Sequence, residues 1–140
     1  MKVYVAASSR EMARAMTAFR MVRSIPGVEL AHDWVTQIQE VEDANPDVPD
    51  PLRVEWATGA VEAIRESSVL WLLLPETQTI GAWVELGVAL GFNAANFDPK
   101  KLIVTSGVDS IRARSIFTAT ASARVREDRE AADLIRYHAG

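Results

Sequence analysis

The sequence predicts an α/β fold: a parallel β-sheet of about five strands with helices on both faces. Three observations predict it. Short runs that are apolar on both faces alternate with stretches of helical spacing from one end of the chain to the other, the pattern of a parallel sheet covered by helices. The six-residue run Val69–Leu74 is wholly apolar, as a central parallel strand is. The thirteen residues Ile80–Phe92 hold one polar side chain, Glu85, and a helix apolar all round is a core helix.

The elements follow in order. Val3 to Ala7 is a buried strand. Ser8-Ser9 comes next, then Met12, Ala15, Met16, Phe19 and Val22 at helical spacing, with Ser9 as the expected N-cap. Pro26-Gly27 stops this helix. Val28 to Trp34 reads as a second strand, with Val28, Leu30, His32 and Trp34 on one face. Thr36 to Leu52 loses periodicity. It holds Glu40, Glu42, Asp43, Asp47 and Asp50, three prolines and no basic residue. It reads as a long acidic loop, either a solvated connection or a lid. Arg53 to Glu66 is helical, Val69 to Leu74 is the central strand ended by Pro75, and Thr79 to about Phe92 is a helix. Leu102 to Thr105 is another strand, followed by Ser106-Gly107. Ile116 to Ala121 is ambiguous. Ser122 to Arg126 reads as a last strand and Glu127 to His138 as a last helix. No repeat and no second domain interrupts the 140 residues.

Composition excludes several functions. With no cysteine and two histidines, His32 and His138, a structural zinc site is not expected, and no disulfide is possible. A net charge of −4 argues against a binder of nucleic-acid backbones. No run approaches the roughly 20 apolar residues that span a bilayer, and the first residues lack a signal-peptide layout. The expectation is a cytoplasmic domain with no membrane or nucleic-acid partner. Neither a G-x-G-x-x-G fingerprint nor a phosphate loop is present, and no G-x-S-x-G elbow. No cofactor and no metal is expected.

In open α/β sheets ligands bind at the carboxyl ends of strands. The residues to watch are therefore Ala6 to Arg10, Asp33-Trp34, Pro75 to Gly81 and Thr105 to Gly107. Glu85 is the sharpest feature. A carboxylate in an apolar helix is costly unless paired, hydrogen-bonded or facing a cavity, and desolvation raises its pKa. It is either held by an arginine from elsewhere or lines a pocket as nucleophile or base. Gly81, Gly87 and Gly91 in the same helix each cost about 0.8–1 kcal/mol against alanine. Close packing on strands, or close approach of a ligand, is their expected use.

Val3-Tyr4-Val5-Ala6-Ala7-Ser8 and Gly81-Ala82-Trp83-Val84-Glu85-Leu86-Gly87-Val88-Ala89 together resemble the opening strand and the G-x-x-x-E-x-G-x-A helix of a family. It is that of the nucleoside 2-deoxyribosyltransferase-like proteins, which includes the deoxynucleoside 5′-monophosphate N-glycosidases. His32-Asp33-Trp34 is similar to one of its branches. The resemblance implies a five-stranded flavodoxin/Rossmann-like sheet and a homodimer or larger homo-oligomer. It implies a nucleoside or nucleotide as small-molecule partner. It also implies that Glu85 attacks the anomeric carbon and expels the base, leaving a glycosyl-enzyme that water or a second base resolves. A carboxylate nucleophile splits one hard displacement into two easier ones. That role needs Glu85 ionised, and the Tyr4 hydroxyl is a candidate donor to it.

The sequence departs from the family at two carboxylates. Ser68 stands where the family commonly has an aspartate before the central strand, and Thr79 where transferases have one six residues before the glutamate. Asp33 and Glu76 are the possible substitutes. Without one, the protein is a slow hydrolase, acts on another base or sugar, or only binds. Cleavage of the nicotinamide–ribose bond of NAD is a further alternative.

Ser8, Ser9 and Arg10 stand where a strand meets a helix N-terminus, where backbone N–H groups and the helix dipole favour a phosphate. An N-cap role for Ser9 and a solvated Arg10 are the plainer alternative. Trp34 is the better candidate for stacking on a base; Trp56 and Trp71 are expected in the core, and Trp83 more readily there than at a base. Arg112, Arg114, Arg124, Arg126 and Arg129 interleave with acids, a pattern of a solvated mixed face or subunit interface.

Overall fold

The computed structural model describes residues 1–42, 48–108 and 116–140. The expected residues Asp43, Pro46 and Asp47 of the acidic stretch, and Arg112 and Arg114, lie outside them. Five strands form one all-parallel sheet: β1 (Lys2–Ala6), β2 (Glu29–Leu30), β3 (Val69–Leu73), β4 (Leu102–Ser106) and β5 (Ala123–Val125). Their order is β2-β1-β3-β4-β5, the doubly wound order whose switch point lies between β1 and β3. The helices are α1 (Met12–Arg23), α2 (Trp34–Glu42), α3 (Asp50–Glu66), α4 (Gly81–Ala94) and α5 (Asp128–Ala139). This is the expected three-layer α/β fold, flavodoxin/Rossmann-like in architecture, with β3 at its centre.

Alternation along the strands builds a core on each face. Val3, Val5, Val69 and Trp71 point toward α1 and α5, joined by Phe19, Val22 and Ile135. Tyr4, Ala6, Leu70 and Leu72 point toward α3 and α4, joined by Ile64, Leu86 and Ala89. β3 is buried on both faces, which is why its sequence is continuous rather than alternating.

The Thr36–Leu52 reading is corrected. Thr36 to Glu42 belongs to α2, and Asp50 to Leu52 to α3. Asp33 explains the first: its Oδ1 accepts from the Thr36 amide at 3.1 Å, a side-chain cap, and Trp34, Val35 and Ile38 pack on the core. Pro51 in the first turn of α3 supplies a φ already suited to a helix start. In the sequence alone, cap residues and an early proline read as loop punctuation. By the same token the second strand is only Glu29–Leu30, because Asp33 turns the chain into α2. The cap before α1 is also shifted. Ser8, not Ser9, accepts from the Arg10 amide at 3.3 Å, and a 3-10 turn over Ser9–Glu11 precedes the helix. The ambiguous stretch is a 3-10 turn over Ile116–Thr120.

Two cationic side chains tie the layers together. Arg14 forks onto Asp128, with Nε and Nη2 each 2.8 Å from a carboxylate oxygen. It also donates to the carbonyls of Leu74 at 2.7 Å and Ser106 at 3.1 Å. It thus closes the carboxyl ends of β3 and β4, where Ser106 Oγ accepts from Trp71 and donates to Asp128. Gly107, at φ +132°, leaves room for this: a Cβ there would stand 3.0 Å from Leu74 Cβ and 3.1 Å from Arg14 Nη2. At the opposite end, buried Lys101 donates to the carbonyls of Arg65, Ser67 and Pro99 at 2.7–2.8 Å, satisfying groups where α3 ends.

The glycines of α4 do not pack on the strands, the first of the two uses expected of them. Gly87 and Gly91 are exposed, and a Cβ at either meets nothing within 4 Å. The inward positions are Ala82, Leu86 and Ala89 instead. Gly87→Ala and Gly91→Ala should each stabilise the fold, by about 0.5–1 kcal/mol, read as a higher urea midpoint at constant m-value. A loss at either would mean that something outside this chain approaches that face.

Candidate active site around Glu85

A cavity of about 900 Å³ opens on the α3/α4 face of the sheet, beside the carboxyl end of β1. That is large for a small-ligand site. Its floor includes Tyr4 of β1, and its walls come from α2, α3 and α4. Ser9 and Arg10 follow β1, His32 follows β2, and Gln78 and Thr79 follow β3; all five line it. The topology collects them: strands that run the same way deliver their outgoing loops to one edge.

Glu85 lines the cavity, partly buried, and its carboxylate accepts a hydrogen bond from the Tyr4 hydroxyl. Burial pushes the Glu85 pKa up to about 7, against the downward pull of the Tyr4 hydrogen bond. Burial first, and then the neighbouring Glu85 charge, raise the pKa of Tyr4. Tyr4 therefore stays a protonated donor while Glu85 moves between acid and carboxylate near neutral pH. This Tyr4 contact is the one foreseen from sequence, and no arginine pairs with Glu85 among the described residues. The Tyr4 ring lies parallel to the His32 ring, centroids 6.3 Å apart, and His32 Nε2 is 3.2 Å from Gln37 Oε1.

Of the residues singled out in the sequence, the cavity brings together Tyr4, Ser9, Arg10, Trp34, Gly81 and Glu85. Ala6, Ser8, Asp33 and Glu76 are not among its lining. Ala6 is fully buried against α3 and α4. Ser8 is buried, bonded to the Arg10 amide and accepting from Thr77 Oγ1 at 2.8 Å. Asp33 caps α2 and pairs with Arg23 at 2.7 Å. Burial works against its charge, but the bonds from Arg23 and Thr36 outweigh it and hold the pKa low. The Glu76 amide donates to the Glu11 carboxylate, tying the loop after β3 to the turn before α1.

Trp34 is mostly core: its indole N–H donates to the Val5 carbonyl at 2.9 Å and its ring meets Phe19 edge-on. Trp71 is fully buried, as expected. Trp83 is partly buried against the α3/α4 core. Trp56 is corrected. It is half-buried on α3 and lines the cavity, on the same helical face as Ala60 and Ile64, which pack on the core between α3, α4 and the sheet. Its spacing from Ala60 and Ile64 carried a signal, four and eight residues, which one helical face shares.

What the arrangement can do chemically is hold a small amphipathic molecule against a carboxylate whose protonation changes near pH 7. No cluster of three or more metal-ligating side chains occurs among the described residues. No helix among them is long and apolar enough to cross a membrane. Comparison with known proteins returns no matching family model, curated protein or solved structure.

Proposed function

We propose that this protein cleaves or transfers the N-glycosidic bond of a nucleoside or nucleoside 5′-monophosphate, with Glu85 as nucleophile. The observation that carries the reading is the Glu85 carboxylate, bonded to Tyr4 and open to a cavity that Ser9 and Arg10 also line. The resemblance of the Gly81–Ala89 segment to the deoxyribosyltransferase-like helix supports the same role.

In the proposed first step a Glu85 oxygen attacks C1′ of the sugar. The C1′–N bond breaks, its electron pair goes to the base nitrogen, and the departing base takes up a proton from solvent. A glycosyl ester on Glu85 remains. Water, or the nitrogen of a second base, then attacks C1′ and frees the carboxylate. Tyr4 steadies the carboxylate between steps. Arg10 and the Ser9 amide suit a 5′-phosphate at the loop edge.

A second reading is favoured by one observation: among the described residues that line the cavity, Glu85 is the only acidic one. On that reading the protein binds a nucleotide without cleaving it, and Glu85 accepts from a ribose hydroxyl. One experiment separates the two. Wild type and Glu85→Ala are incubated with nucleosides, nucleoside 5′-monophosphates and NAD, and free base is measured by chromatography. Release by wild type alone is expected. Retained binding with no release from any substrate leaves the binding reading in its place.

A further inference from the structure

A departing base needs a proton, and the site holds no second carboxylate to deliver it: Glu85 is the only acidic side chain among the described residues that line the cavity. The Tyr4 hydroxyl is engaged with Glu85, and burial and the Glu85 charge hold its proton in place. An arginine such as Arg10 does not give up a proton, and the hydroxyls and amides of Ser9, Gln37, Gln78 and Thr79 carry no acidic one. His32 remains, and imidazole is the one side chain whose ordinary change of charge falls between pH 5 and 8.

The fold prepares this ring. The Ala31 amide donates to the Val3 carbonyl at 2.8 Å, so the chain runs on beside β1 past the end of β2. That sets His32 against Tyr4, with ring planes 8° apart. Asp33 then turns the chain into α2, which brings Gln37 back to the ring, Oε1 3.2 Å from Nε2. Gln37 Oε1 only accepts, so Nε2 carries a hydrogen in either charge state, and Nδ1 is the nitrogen that gains and loses one. Nδ1 has no hydrogen-bond partner among the described residues, and no partnerless side-chain nitrogen or oxygen is buried there. It is therefore open, in a ring that lines the cavity.

We propose that His32 is a second catalytic residue, the acid that protonates the departing base through Nδ1. The inference rests on the reading of the site as one that breaks an N-glycosidic bond with Glu85 as nucleophile. As the C1′–N bond breaks, its electron pair goes to the base nitrogen and the Nδ1 proton passes to the base, leaving His32 neutral. When water attacks C1′ of the glycosyl ester, Nδ1 accepts a proton from that water, and the electron pair of the C1′–O bond to Glu85 returns to the carboxylate. Base and sugar leave, and both side chains regain their starting states. Solvent supplies the proton, and His32 carries it.

Two nucleotides test this. Guanine must be protonated as it leaves deoxyguanosine 5′-monophosphate. In the 7-methyl derivative the ring is already positively charged, and the base leaves as a neutral molecule with no proton added. Base release above the uncatalysed rate is measured for wild type, His32→Gln, His32→Phe and Glu85→Gln. His32→Gln should lower kcat on deoxyguanosine 5′-monophosphate at least about 100-fold more than on the methylated nucleotide. His32→Phe, which keeps an aromatic ring beside Tyr4, should show the same selective loss. Turnover of the methylated nucleotide by these variants shows that they are folded, and Glu85→Gln should lose both reactions. Equal falls on the two nucleotides in both His32 variants, or no fall on either, would overturn the inference and leave the glycosidase reading standing. Cleavage of the methylated nucleotide alone by wild type would do the same. Release of neither base by wild type would overturn both.

Discussion

Glu85→Gln should make the fold more stable, and only above acidic pH. In the native protein Glu85 holds its proton up to about pH 7, against 4.5 for an ordinary glutamate. Between those values the folded state binds more protons than the unfolded one, so stability falls as pH rises. The contribution of the protonated group is complete below about 4.5 and lost on passing 7. Glutamine stays neutral throughout and can still accept from Tyr4. The variant should match wild type near pH 4.5 and exceed it by on the order of 2–3 kcal/mol at pH 8. Urea unfolding at the two pH values checks this. A gain that is the same at both, or a loss at pH 8, would mean that the carboxylate is not held against its own ionisation. A residue that costs stability at working pH is what a functional site is expected to contain.

Arg14→Met should have the opposite sign and be strongly destabilising. It removes the fork on Asp128 and the donors to the carbonyls of Leu74 and Ser106. The side chains of Arg14 and Asp128 are 23% and 24% exposed, so water replaces part of what is lost. A cost of about 2–4 kcal/mol at pH 7 follows. Burial disfavours the Asp128 charge, but the bonds from Arg14 and Ser106 outweigh it and hold the pKa below the ordinary aspartate value. Its contribution is therefore present above that value and lost as pH falls through the folded one, so the deficit should shrink in acid. Arg14→Lys should recover only part, because one ammonium cannot form the planar fork. A neutral Arg14→Met at pH 7 would show that the strand ends are held by something else.

The difference between these two residues explains how far the sequence could be read. Glu85 stands out because its neighbours in sequence are all apolar, so its burial is a local fact. Arg14 looks like any helix surface residue. Its partner is 114 positions away, and only the 2-1-3-4-5 strand order brings α5 beside α1. The central strand was legible for the same reason as Glu85: burial on both faces leaves a continuous apolar run. β2 was overread, since His32 and Trp34 alternate like a strand while Asp33 between them caps a helix. The acidic stretch hid α2 because only its inward side is apolar. Trp56 reads as core by residue type, and it is tertiary packing that leaves a cavity beside the end of the α3 face it shares with Ala60 and Ile64.

The site follows the same division. Tyr4 is a candidate donor in the sequence only because the role that the resemblance implies needs Glu85 ionised; the two are eighty-one residues apart, and it is the fold that sets α4 against β1. The places of Asp33 and Glu76 after strands make them the candidate replacement carboxylates. That position fixes the edge of the sheet but not the direction of the side chain, and both are engaged elsewhere.

Base release from a nucleoside 5′-monophosphate by wild type and Glu85→Gln at pH 8, each shown to be folded under the assay conditions, tests the central claim most directly. The account predicts release by wild type and a fall of roughly 10³-fold or more in the variant, even though the variant is the more stable protein. Comparable release by the two, or none by wild type across the substrate panel, would contradict it.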